Sequence, residues 1–137
     1  MSIMQRFMGG ISAALASVKT YVGTGAIYAP GSVTTGITAH AGGGQASAVA
    51  LTAWYNRIDT VTTAADSVKL PAPSYVSQVI AVMNNDGANS MQVFGSGTDT
   101  INGVATATGV AHAAGKLAFY IAESIGTAAS WRRHLSA

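Results

Sequence analysis

The residues able to do chemistry are few. The acids are Asp59, Asp66, Asp86, Asp99 and Glu123, the imidazoles are His40, His112 and His134, and there is no cysteine. General acid–base or nucleophilic catalysis needs titratable groups that converge, with a base in reach of the reacting atom and an orienting group behind it. Asp86 precedes Gly87, and Asp99 follows Gly97-Thr98. A short carboxylate in such a place caps local backbone N–H groups, so both are read as turn residues. Each histidine stands alone, without the i, i+2 or i, i+4 partner that metal sites on strands and helices use. The run Gly42-Gly43-Gly44-Gln45 lacks the Lys and Ser/Thr of a phosphate loop, and no G-x-S-x-G elbow occurs. The expectation is a non-enzymatic protein with no catalytic residue, no cofactor and no metal. The enzyme reading that competes is a small hydrolase or lyase in which His40 and His112 meet Asp66 or Glu123.

Composition points the same way. Charged residues make up 9% of the 137, against about a quarter in ordinary domains, while the hydrophobic share is 49%. Ala, Gly, Ser and Thr fill the difference, giving a nearly uncharged surface that repels its own copies weakly. A formal net charge of +2 is no footprint for a phosphate backbone, and the basic group Arg132-Arg133-His134 reads as a solvated strand end. Nucleic acid is therefore not an expected partner. Disorder is disfavoured as well, since it goes with low hydrophobicity and high net charge. Without cysteine there is no disulfide or thiolate chemistry, which suits folding in a reducing cytoplasm.

The elements that position these residues read as short strands. Residues 57–63 alternate with period two, and residues 67–70 alternate again before Pro71 and Pro73. Residues 78–83 and 91–94 flank the Asn/Asp/Gly-rich loop 84–90 and predict a hairpin. Further strands are expected near residues 36–40, 99–101, 109–112, 117–122 and 128–133, with 47–55 ambiguous between strand and helical turn. About eight short strands at this spacing predict a mainly β fold, a single β-sandwich or jelly-roll-like domain over residues 36–137.

Residues 1–35 are expected to form an N-terminal arm and connector, helical or extended. Met4, Phe7, Met8, Ile11, Leu15 and Val18 recur at helical spacing, but Gly9-Gly10 weakens such a helix by roughly 1–2 kcal/mol, so a partner surface would have to order it. Packing on its own domain is the equal alternative. Arg6 ahead of this semi-apolar run raises a signal-peptide reading, but glycines and serines interrupt it and no stretch reaches the ~20 apolar residues of a membrane span. No membrane partner is expected. Trp54-Tyr55, Phe119-Tyr120 and Trp131 are the large aromatics of the domain; one of each adjacent pair should enter the core and the other can anchor an interface. The interface candidates are thus Met4, Phe7, Met8, Ile11, Leu15, Val18, Trp54 and Tyr55.

The segment from Gly36 to Trp131 resembles small virion proteins of tailed bacteriophages. The carrying residues are Gly36-Ile37-Thr38-Ala39, Ala50-Leu51-Thr52-Ala53, Asn56-Arg57, Asp66-Ser67-Val68-Lys69-Leu70-Pro71, Val93-Phe94, Gly97-Thr98-Asp99-Thr100-Ile101-Asn102-Gly103 and Trp131. The resemblance implies a capsid decoration or cement protein on the outer capsid surface of the virion, assembled in the host cytoplasm. It implies major capsid protein subunits and other copies of itself, as a dimer or trimer, as partners, and no catalytic residues. The alternative is a head-fibre, tail or spike module that recognises a host receptor.

Overall fold

The computed structural model describes Ser32–Ala137, so Met4, Phe7, Met8, Ile11, Leu15 and Val18 lie outside the described residues. The described part is all strand and turn. Ten strands follow one another: β1 (Val33–Thr38), β2 (Val49–Ala50), β3 (Tyr55–Thr60), β4 (Ser67–Lys69), β5 (Val79–Asn84), β6 (Met91–Phe94), β7 (Thr100–Ile101), β8 (Val110–His112), β9 (Leu117–Ala122) and β10 (Ser130–Leu135). They make a six-stranded sheet ordered β1-β3-β5-β9-β10-β7 and a four-stranded sheet ordered β2-β4-β6-β8. The expected mainly β architecture is therefore present. β1 begins at Val33, inside the segment read as connector, and the ambiguous stretch 47–55 supplies the short strand β2.

The winding is what the sequence did not announce. From β1 to β8 the chain alternates between the sheets, and β1, β3 and β5 pair in parallel in one sheet while β2, β4 and β6 pair in parallel in the other. The first part of the domain is thus wound in stacked coils, as in a β-solenoid. Only afterwards do antiparallel pairs appear, β9 with β5 and β10, and β8 with β6. The expected hairpin between residues 78–83 and 91–94 does not form. β5 and β6 stand in opposite sheets, and the loop between them is a coil corner. Its Asn84 side chain donates to the Asn89 and His112 carbonyls at 2.9 and 3.2 Å, which turns the chain away from the hairpin path.

Corners leave backbone N–H groups outside any strand ladder, and each must find an acceptor. Asp66 and Asp86 supply it at corners, and Asp59, within β3, supplies it at the irregular stretch of β1. Asp66, buried at 1% exposure, accepts from Thr62 N at 2.7 Å, Thr63 N at 3.2 Å and Thr63 Oγ1 at 2.8 Å, and reaches Gly42 N of the preceding coil at 3.4 Å. Asp86 accepts from Ala88 N and Asn89 N at 2.9 and 2.8 Å and from Val61 N of the preceding coil at 3.3 Å. Asp59 joins all three coils, through Gly36 N, its ion pair with Arg57, and Asn85 Nδ2, each at 2.8 Å. Gln45 adds a fourth clamp, donating from Nε2 to the Gly95 and Gly97 carbonyls at 2.8 and 2.7 Å.

Between the sheets lies one apolar cluster that includes Ile58, Val68, Val82, Met91, Val93, Tyr120 and Trp131, all fully enclosed. Backbones approach closely at the corners around it. A Cβ on Gly95 would stand 2.6 Å from the Asp99 carbonyl oxygen, and one on Gly43, at φ +72°, 2.5 Å from that of Ala65. Because Asp66 is enclosed with several donors aimed at it, Asp66→Ala is expected to cost about 2–4 kcal/mol, as buried donors lose a charged acceptor. Urea unfolding checks this, with a lowered midpoint at an unchanged m-value as the expected outcome.

Candidate functional site

The interior polar groups hold the fold together. His112 on β8 is fully buried; its Nε2 lies 2.9 Å from the Lys116 carbonyl and its Nδ1 3.1 Å from the Tyr120 hydroxyl. A carbonyl only accepts, so Nε2 carries the proton and Tyr120 O–H donates to Nδ1. Burial pushes the His112 pKa below its ordinary value, with the Arg133 charge acting in the same direction against the Lys116 contact. Burial likewise pushes the Tyr120 hydroxyl well above its ordinary value. His112 is thus a neutral core imidazole with both nitrogens engaged.

His40 does not join it. It is exposed and bridges Ser67 through its backbone, while Asp66 is occupied by corner donors and Glu123 pairs with Arg132 at 3.0 Å. Among the described residues no group of three His, Asp or Glu is arranged to hold a metal ion, and no helix is long and apolar enough to cross a membrane. Asp99 accepts from Ala129 N at 2.9 Å through Oδ1, its Oδ2 is buried without a partner, and burial raises its pKa. The crevice beside it, lined by Gly95, Ile101, Val104, Thr106 and Gly109, is too narrow to admit water.

The outward face of the six-stranded sheet is different in kind. The register sets Val33, Tyr55, Ala81, Phe119 and His134 in one row across β1, β3, β5, β9 and β10. A second row runs Arg57, Met83, Leu117, and a third Val79, Ile121, Arg132. Directly paired residues share a face, so the two central strands turn Val79, Ala81, Met83, Leu117, Phe119 and Ile121 outward, although Ala81 itself is covered, at 1% exposure. Not one of them is polar. Phe119 is 39% exposed, and Trp54 stands with its ring centroid 6.5 Å away, near Ala81, whose N–H donates to the Trp54 carbonyl at 2.7 Å.

Among the described residues, charge on this face is confined to two diagonally opposite corners. The Arg57–Asp59 pair lies at one, and the Glu123–Arg132 pair at the other. The turns at the Val79–Ile121 end carry exposed Tyr75, Val76 and Ile125. An antiparallel sheet face left in water normally alternates to polar residues, whereas strands covered on both faces read as continuous apolar runs. β5 reads VIAVMN and β9 LAFYIA, the second kind.

Of the interface residues expected from sequence, Trp54 and Tyr55 sit at the edge of this face, both partly exposed. Of the Phe119-Tyr120 pair, Tyr120 enters the core and Phe119 faces outward. Val79, Met83, Leu117 and Ile121 were missed as surface residues. The signal that marks them is the unbroken apolar run in β5 and β9, where a half-exposed strand would alternate. No protein-family model, curated protein or solved structure matches the chain.

The pH dependence of stability follows from the same groups. Hydrogen bonding outweighs burial and holds Asp66 below the usual carboxylate range; the Arg57 contact does so for Asp59 and the Asn89 and Ala88 amides for Asp86. These carboxylates contribute stability above their unfolded pKa of about 4, and it is lost as pH falls through their folded values. His112, lowered by burial, binds its proton more readily when unfolded, so acidification below about 6.5 also favours unfolding. Asp99, raised, acts in the opposite sense as one group against four. Thermal unfolding is expected to give a Tm that is flat between about pH 7 and 9, declines below about 6.5 and drops steeply below about 4, the first decline vanishing in His112→Gln; above about pH 10 it falls again, because Tyr120 ionises more readily when unfolded.

Proposed function

We propose that the protein is a non-enzymatic virion structural protein, a capsid decoration protein that stabilises a phage head by bridging coat subunits. The observation that carries an association role is the apolar outer face of the six-stranded sheet, edged by Trp54 and Tyr55 on a surface poor in charge. A contiguous apolar patch of this kind marks a place where another protein packs. The corner clamps favour the reading further, since the acids that would serve catalysis bind backbone amides of neighbouring coils instead. The coat subunit as partner is supported by the resemblance of residues 36–131 to small virion proteins. A decoration protein strengthens a shell by binding the assembled lattice many times over, each contact adding mass-action stabilisation.

Co-sedimentation of the purified protein with head shells that lack it is the test. Saturable binding at a fixed ratio to the coat subunit is expected, and it should persist from low to high salt, because apolar contacts survive the screening that weakens charge pairs. Absence of binding to every shell form, together with binding to host cells, would replace this reading with a receptor-recognising fibre or tail module.

A further inference from the structure

One acid differs from the corner clamps. Asp66 and Asp86 each receive several donors, whereas Asp99, at 5% exposure, receives one: Ala129 N donates to Oδ1 at 2.9 Å, and Oδ2 is enclosed without a partner. Asp99 is the only ionisable residue between Gly95 and Gly109. The ionisable groups on the elements around it are engaged elsewhere. Glu123 pairs with Arg132, Arg133 donates to the Ala111 carbonyl, Lys69 donates to the Ala46 carbonyl at 3.2 Å, and His112 is bonded to Lys116 and Tyr120. A carboxylate enclosed without a counter-charge is costly, and burial raises the Asp99 pKa accordingly.

The walls around Asp99 are not equally fastened. Gln45 clamps the turn before it through the Gly95 and Gly97 carbonyls, β7 is laddered to β10, and Asn102 is bonded to the backbone of Trp131 and Arg133. Residues 104–108 close the remaining side as a strap. Among the described residues the strap's hydrogen bonds, Val104 N to Ile101 O and Thr108 N to Ala105 O, stay within residues 101–108. Packing alone seats it, Val104 against the core and the adjoining Gly109 against the Phe94 ring. The crevice that it shares with Asp99, Ile101 and Val110 has no room for water.

We propose that Asp99 is the latch of a pH-sensitive strap: protonated, it lies closed beneath residues 104–109, and on losing its proton to solvent it lifts them so that water reaches Oδ2. The strap yields because the other walls are hydrogen-bonded. It lies between β7 and β8, away from the outer face of the six-stranded sheet, so the device goes beyond coat binding and does not depend on it. Its sign follows from linkage. Asp99 holds its proton more tightly in the closed form, so closure is favoured at low pH and loses that advantage as pH rises through the closed-form value. Between the ordinary aspartate value of about 4 and the closed-form value, each opening releases one proton and the opening equilibrium rises about tenfold per pH unit. Above the closed-form value it is level.

NMR of the full chain tests it. The Asp99 carboxyl carbon is expected to titrate above the ordinary aspartate value. Amide exchange of Val104, corrected for its intrinsic rate, should speed up about tenfold per pH unit from about pH 4 and then level off, while the amides of β5 and β9 do not follow. Asp99→Asn keeps an acceptor for Ala129 N and cannot ionise, so it should hold Val104 at its low-pH protection throughout. An Asp99 carboxyl that titrates at or below the ordinary value in the folded chain overturns the proposal, whether or not the variant folds. A raised titration with Val104 protection unchanged across it overturns it too, since the buried charge would then be borne with the strap closed.

Discussion

Carboxylate oxygens meeting backbone N–H groups at the coil corners are the interaction on which the described domain depends. A chain that alternates between two sheets with strands of two to six residues spends much of its length in turns, where the ladders provide no acceptors. Asp66 and Asp86 provide them and each also reaches into a neighbouring coil, while Asp59, within β3, accepts from Gly36 N at the irregular stretch of β1. The coils are thereby held in register by charge-assisted hydrogen bonds, about twice as strong as neutral ones. The core of Ile58, Val82, Tyr120 and Trp131 can then close over strands too short to be stable alone.

The same arrangement commits Asp66 and Asp86 to backbone amides. An acid that must hold two or three amides keeps its charge and its position, and such groups lie below the ordinary carboxylate range. His112 is held in the converse way, neutral between a carbonyl and a phenol in the interior. The polar side chains work inward, on loops and core. What the six-stranded sheet presents outward is shape and apolar area, the means by which one protein surface recognises another.

Much of the strand content was legible in the sequence, and the winding was not. Alternation located β3 and β4 to within a few residues, the strand expected over residues 117–122 coincides with β9, and Asp86-Gly87 and Gly97-Thr98-Asp99 announced turns that the structure contains. The hairpin expected around residues 84–90 failed because Asn and Asp in a loop report a turn and not which sheet the next strand joins. Asn84 and Asp86 use their side chains on His112 and Val61, residues more than twenty positions distant, and no local pattern records that. The clamps at Asp59 and Asp66 were unreadable for the same reason, since Gly36 and Gly42 meet them only once the coils stack. The outer face was half legible. Trp54 and Tyr55 stood out by type, while Val79, Met83, Leu117 and Ile121 merged into runs that also describe core strands.

Hydrogen exchange measured amide by amide on the purified chain tests the central claim most directly. If the aspartates lock the coils, the amides of Gly36, Val61, Thr62 and Asn89 exchange as slowly as those of the central strands β5 and β9, opening only with global unfolding. Exchange of those corner amides at the rate of open loops, with the strands still protected, would contradict it: the corners would then be free turns and the carboxylates available for other chemistry.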